Sequence, residues 1–218
     1  MGWVWKSLNS SIGKKLVMAV TGVALMLFLI IHLAGNLSLY GGSKAFNGYV
    51  GLLEMIKPLI RVIEVILALV FIFHIINGVR LWIENKIARP QGYTINGSRK
   101  NTDVFSRTAF ITGSIVFIFL ILHLQTIWYK FNYSGTELDL YTITTEWFTH
   151  WWYSLLYLIA IVLLGFHLNH GFQSAFQTFG WNSKKYFPLI EKLGTIYAII
   201  MTLGFGSIPI YLYFFGGK

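Results

Sequence analysis

Five stretches of this 218-residue chain are long and apolar enough to cross a bilayer, which leaves few folds open to it. They run approximately over 16–37, 58–83, 108–129, 151–176 and 194–215. A hydrocarbon layer of about 30 Å needs around 20 helical residues. Within that layer every backbone N–H and C=O must be satisfied by the protein itself, so only helices and closed barrels span it. A barrel requires alternating strands of about ten residues, and the sequence lacks that alternation. The expectation is an all-α membrane protein with five transmembrane helices, residues 1–218 forming one integral membrane domain.

Composition agrees. Only 11% of residues are charged, against roughly 25% in soluble domains. The formal charge of +9 does not point to nucleic acid, because the cations sit between apolar runs and read as membrane-flanking charges. A Gly-rich phosphate loop is absent as well. The chain has no Cys, which excludes disulfides, thiolate-ligated zinc, thioether-attached haem and iron–sulfur ligation by this chain. Lys6, Lys14 and Lys15 before an apolar stretch suggest a signal peptide. That stretch, however, extends from Leu16 to about Leu39 and reads as a retained helix.

The connections set an orientation. Lys6, Lys14 and Lys15 precede the first helix. Lys86, Arg89, Arg99 and Lys100 lie in the second connection, and Lys184, Lys185 and Lys192 in the fourth. The third carries Lys130 against Glu137, Asp139 and Glu146. Positive-inside places the amino terminus in the cytoplasm, with helices one, three and five running outward. The connection over about 84–107, with Pro90, Gly92 and Gly97, is a topology signal and a candidate docking surface for a soluble partner.

Each of the first four helices carries a histidine well inside its span, and ionisable residues there are costly and by default functional. His32 and His123 fall near the outer ends of outward-running helices. His74 and His167 fall in the inner halves of inward-running ones. Two levels with two imidazoles each suit two bis-histidine haems, a ligation for electron transfer rather than oxygen binding, built into a four-helix bundle. Zinc fits less well, since it wants four ligands converging at one depth. A single buried histidine is as readily a neutral ring bonded to a neighbouring helix; four in matched pairs are harder to explain that way.

An internal repeat accompanies the histidines. Thr21-Gly22 precedes Phe28-Leu-Ile-Ile-His32-Leu33, and Thr112-Gly113 precedes Phe119-Leu-Ile-Leu-His123-Leu124, with the same interval from Thr to His. Helices two and four share Phe73-His74-x-x-x-Gly78 and Phe166-His167-x-x-x-Gly171. A glycine one turn from a ligand leaves room for a flat macrocycle; small-residue helix packing is the alternative. His170, three residues after His167, is an alternative ligand or a propionate contact. His150 abuts Trp151 and Trp152 and reads as an interfacial belt residue.

These motifs resemble the cytochrome b membrane anchor of bacterial succinate:quinone oxidoreductases (succinate dehydrogenase or fumarate reductase), the single-subunit di-haem type. Ser11-x-Gly13-Lys14-Lys15 with Thr21-Gly22 and His32-Leu-x-Gly35-Asn36 is similar to that family's first helix. His74-Ile-Ile-Asn-Gly78-Val-Arg80 resembles its second, and His167-Leu-Asn-His-Gly171-Phe-Gln173 with Gln177-Thr-Phe-Gly180 its fourth. The resemblance implies that His32 and His123 ligate a distal haem b, and His74 and His167 a proximal one. It implies a flavoprotein subunit and an iron–sulfur subunit docking on the cytoplasmic face of a bacterial inner membrane. The lipid-phase substrate would be a quinone such as menaquinone, and a dimer of complexes is compatible.

Quinone chemistry moves protons with electrons, so a titratable group is expected near it. Glu64 is the candidate proton donor or acceptor; Arg61, three residues earlier, makes a structural ion pair the competing role. Arg80 and Gln173 are candidate propionate contacts at the inner level. Two other functions compete: the anchor of a different quinol-linked respiratory complex, and a transporter whose histidines relay protons without haem.

Overall fold

A computed structural model describes residues 2–88 and 104–216, and among them there is no strand. The elements are α1 (Trp3–Leu8), α2 (Ser11–Asn36), a 3-10 turn (Leu37–Gly41), α3 (Gly42–Met55) and α4 (Lys57–Ile87). After the undescribed 89–103 come α5 (Val104–His123), a π-helical turn (Leu124–Tyr129), α6 (Lys130–Tyr133), α7 (Leu140–Phe148), α8 (Trp151–Thr178) and α9 (Phe187–Phe215). Five helical stretches are long and apolar enough to span a membrane: α2 with its continuation, α4, α5 through α6, α8 and α9. The protein is an all-α membrane protein.

The helices overrun the apolar stretches that announce them, because hydropathy marks the hydrocarbon width while backbone hydrogen bonding continues through the interface. α2 begins at Ser11 because the Ser10 hydroxyl caps it, accepting from the Gly13 N–H at 3.0 Å. α9 begins at Phe187 with Pro188 in its first turn, where the missing N–H costs nothing.

α8 is the central element, packing on α2, α5 and α9. Its buried side includes Tyr153, Tyr157, Ile161, Gly165 and Leu168, a three- and four-residue spacing that keeps one face inward. Small residues allow close approach: Gly165 receives Thr202, Gly194 the Phe172 ring, and Gly204 the Leu33 side chain. α4 is the least buried span, with Asn77 its buried residue. It rests on α2 and is tied there by Lys14, whose ammonium lies 2.6 Å from a Glu84 carboxylate oxygen. Lys14 is only 7% exposed, so without Glu84 its charge would be buried unpaired, a costly state. Large apolar residues on the outside, such as Ile31, Val65, Ile118 and Leu203, face the lipid that the spans require.

Two connections that read as plain links contain helices. α3 and α7 pack together on the side opposite α1, here called the far side. The Asn47 side-chain oxygen accepts from the Tyr141 N–H at 3.3 Å, and Phe46 meets the Tyr141 ring. Asp139 caps α7, accepting from the Thr142 N–H at 2.8 Å. That backbone donor holds its carboxyl below the usual carboxylate range. Leu39, Phe46, Ile143 and Phe148 are buried beneath this layer, so the far end of the bundle is roofed. The near side carries α1 and the start of α2. Of the proposed docking connection, Arg89, Pro90, Gly92, Gly97, Arg99 and Lys100 lie outside the described residues.

Candidate functional site: two levels of paired histidines

The four intramembrane histidines meet in two pairs. On the far side the His32 and His123 ring centres are 5.9 Å apart with planes at 85°. On the near side His74 and His167 are 6.2 Å apart at 79°. An imidazole nitrogen sits about 2 Å from the metal it binds. Two axial rings therefore face each other across about 4 Å between nitrogens and roughly 6 Å between centres. Both pairs fit that spacing. Among the described residues, no three His, Asp or Glu side chains converge on one point. The rings come instead in pairs, the number an axially ligated haem iron takes from the protein.

In three of the four rings Nδ1 is engaged, which leaves Nε2 for a metal. His74 Nδ1 is 3.2 Å from the Thr21 hydroxyl. His167 Nδ1 is 3.2 Å from the Ala109 carbonyl oxygen. His123 Nδ1 is 3.0 Å from the Tyr157 hydroxyl. His32 is held less firmly: the Asn36 amide nitrogen is 3.4 Å from both of its ring nitrogens and donates instead to the His32 carbonyl at 2.8 Å.

The sequence repeat now has a physical meaning. α2 and α5 each carry a far-level histidine and, ten to eleven residues earlier, a seat for a near-level histidine on the next span. Thr21 and Gly22 of α2 lie against His74, and Gly113 of α5 lies against His167, whose Nδ1 meets the Ala109 carbonyl to which the Thr112 hydroxyl also donates. Eleven helical residues rise about 16 Å, the spacing between the levels. The repeated phenylalanines stack one turn before their ligands, Phe28 on His32 at 5.2 Å and Phe119 on His123 at 5.9 Å.

The two glycine seats differ in tightness. A Cβ at Gly113 would come within 2.9 Å of His167 Cε1, whereas one at Gly22 would stand 3.4 Å from His74 Cε1. Gly113→Ala is therefore expected to displace the His167 ring and weaken the near-level spectral signal, while Gly22→Ala leaves both signals in place. Optical spectra of the purified variants check this. Equal spectra for the two would mean that the seat does not position the ring.

The His167 ring faces His74; His170, three residues on, is half-buried and makes contacts of its own. Gly78 and Gly171 are turned toward the methyl groups of Met18 and Met26, which a Cβ would approach to 3.5 and 3.6 Å. Arg80 is exposed and donates to the Asn9 side chain at 3.2 Å. Gln173 donates to Asn169 at 2.7 Å, and Asn169 in turn donates to Thr195 of α9. His150 is exposed beside Trp147 and Trp152.

Glu64 lies toward the far side in a network that joins α4 to the continuation of α5. One carboxylate oxygen accepts from Arg61 at 2.7 Å and the other from the Trp128 indole N–H at 2.9 Å. Arg61 also donates to the Asn132 side chain at 2.7 Å and lies over the Trp128 and Tyr133 rings. Trp128 sits in the π turn directly after His123, a distortion often found at functional sites. Sequence reasoning did not single out Trp128, Asn132, Tyr157, Tyr153 or Thr126. For the tyrosines the available signal was a polar pair at i and i+4 on the face of α8 that turns inward.

Fold and paired rings together define a polytopic helical membrane protein with two bis-imidazole levels. Residues 15–95, which include His32 and His74, match the family of the succinate dehydrogenase/fumarate reductase transmembrane subunit. The match covers well under half of the chain and agrees with the family resemblance read from the motifs. No curated protein and no solved structure matches the chain.

Proposed function

We propose that this chain is the di-haem cytochrome b anchor of a succinate:quinone oxidoreductase, carrying electrons between a partner's iron–sulfur subunit and membrane quinone. The observation that carries this reading is the pair of facing imidazole couples, near 6 Å in each case and about 16 Å apart in depth. His32 and His123 hold the distal haem b, and His74 and His167 the proximal one. Bound there, haem supplies a one-electron carrier at each level. The chain's own part is to fix the rings. Thr21, Ala109 and Tyr157 engage the Nδ1 atoms, and the buried face of α8 keeps the helices in register.

The near side, rich in lysine and arginine, is the cytoplasmic face of a bacterial inner membrane, and the flavoprotein and iron–sulfur subunits dock there. The absence of Cys fits a division of labour in which clusters belong to the partner. Menaquinone or a related quinone exchanges electrons beside the far couple, where the Glu64 carboxylate gives or takes the proton. Residues 1–218 work as one membrane domain.

The test is a reduced-minus-oxidised optical spectrum of the purified protein with a haem-to-protein ratio. A b-type α-band and close to two haems per chain are expected. A colourless protein would favour the transporter and end this reading.

A further inference from the structure

We propose that Tyr157, backed by Tyr153 and Thr126, is a positioning residue that fixes the His123 ligand and through it sets the electron affinity of the far haem. This rests on the haem reading above and goes beyond it. The Tyr157 hydroxyl is 3.0 Å from His123 Nδ1 and 2.8 Å from the Tyr153 hydroxyl. The Tyr153 hydroxyl is 2.7 Å from Thr126 Oγ1, and Thr126 donates to the Leu122 carbonyl at 2.8 Å. With a metal on Nε2, the neutral ring carries its proton on Nδ1 and donates it to the Tyr157 oxygen. Hydroxyl hydrogens rotate to suit their partners. The Tyr153 hydroxyl donates to the same Tyr157 oxygen, so that oxygen is held by the ring N–H on one side and by Tyr153 on the other, while Thr126 is anchored on the Leu122 carbonyl beside His123.

The chain is sealed. Tyr153 is 2% and Tyr157 6% exposed, and Phe148 and Trp147 pack against their rings. In such a low-dielectric setting neighbouring hydrogen bonds polarise one another. A ring N–H that donates to oxygen makes the ligand nitrogen more basic, and so favours the ferric over the ferrous metal. Among the described residues, the ring nitrogens of His32, the other far-level ligand, meet Asn36 at 3.4 Å, beyond good geometry. The tuning of the far couple therefore enters through His123.

Tyr157→Phe removes the acceptor and keeps the ring. The far couple is expected to prefer the ferrous state about tenfold more, which is about 59 mV upward for a one-electron couple. Tyr153→Phe removes the competing donor to the Tyr157 oxygen, so it moves the same couple by less and downward. Potentiometry of the purified complex reads both, with electron paramagnetic resonance reporting the ligand field and the far couple defined as the one lost in His32→Ala. The near couple should stay fixed in both variants. A merely structural tyrosine would lower haem content or shift both couples. If Tyr157→Phe does not fold, Tyr153→Phe decides. Two haems with an unmoved far potential overturn this inference alone; a wild-type protein without haem overturns it together with the function.

Discussion

Replacing His74 or His167 by alanine is expected to remove one and the same haem, and replacing His32 or His123 the other. Each variant should fall from two haems per chain to one. The ring that remains in a broken pair supplies one axial ligand to a group that no covalent bond retains, since the chain has no Cys. The surviving couple should then have the same potential in His74→Ala and His167→Ala, and a different, shared one in His32→Ala and His123→Ala. Haem assays and potentiometry on the four variants form a complete pairing test. The prediction follows from ring separations of 6.2 Å within the near couple and 5.9 Å within the far one. If His32→Ala and His74→Ala lost the same couple, ligation would run along a helix pair instead of across a level, and the two-level scheme would fail.

The pairing was legible before any coordinates because run direction converts sequence position into depth. A histidine late in an outward helix and another late in the next outward helix share a level, whatever the bundle's detailed packing. The spacing to Gly171 that His74 repeats to Gly78 favoured His167 in the same way, and its ring lies 6.2 Å from that of His74. What the sequence did not disclose was tertiary. Thr21 and Gly113 were visible as a repeat, but nothing along the chain says that a seat on one helix serves a ring on another. Tyr153 and Tyr157 adjoin Trp151 and Trp152, and the run resembles an interfacial aromatic belt. Rotation about α8 separates them: Trp151 is 65% exposed and Tyr153 only 2%.

The roof of α3 and α7 was hidden because each helix is short and its mixed polarity matches that of a loop. Asp139 ahead of Thr142 was the available cue, an N-cap signature. Arg80 and Gln173 illustrate the opposite limit. Both stand at plausible heights for near-level contacts, and their side chains meet Asn9 and Asn169, partners that helical height does not disclose.

Glu64→Gln is expected to leave both haems spectrally intact while quinone turnover falls by about a hundredfold, the lower end of what a positioned acid–base group supplies. Glutamine keeps the shape and an acceptor oxygen for the Trp128 indole, so the link between α4 and the π turn after His123 survives. It loses the charge that faces Arg61 at 2.7 Å and the ability to give or take a proton. The competing role is an ion pair that only fastens α4, which otherwise has few contacts with α5. That role predicts a different profile, in which Glu64→Gln and Arg61→Gln both lower thermal stability, and turnover per haem stays near the wild-type value. The side chain is suited to proton exchange, being about 30% exposed and so neither sealed from the interface nor fully solvated. It lies toward the level of His123, joined to the following turn through Trp128 at 2.9 Å. Proton and electron would thus meet at one end of the bundle. Turnover with a soluble quinone analogue, normalised to haem, separates the two roles. Unchanged turnover with both haems retained would leave Glu64 as a fastening and send the search for the proton group elsewhere on the far side.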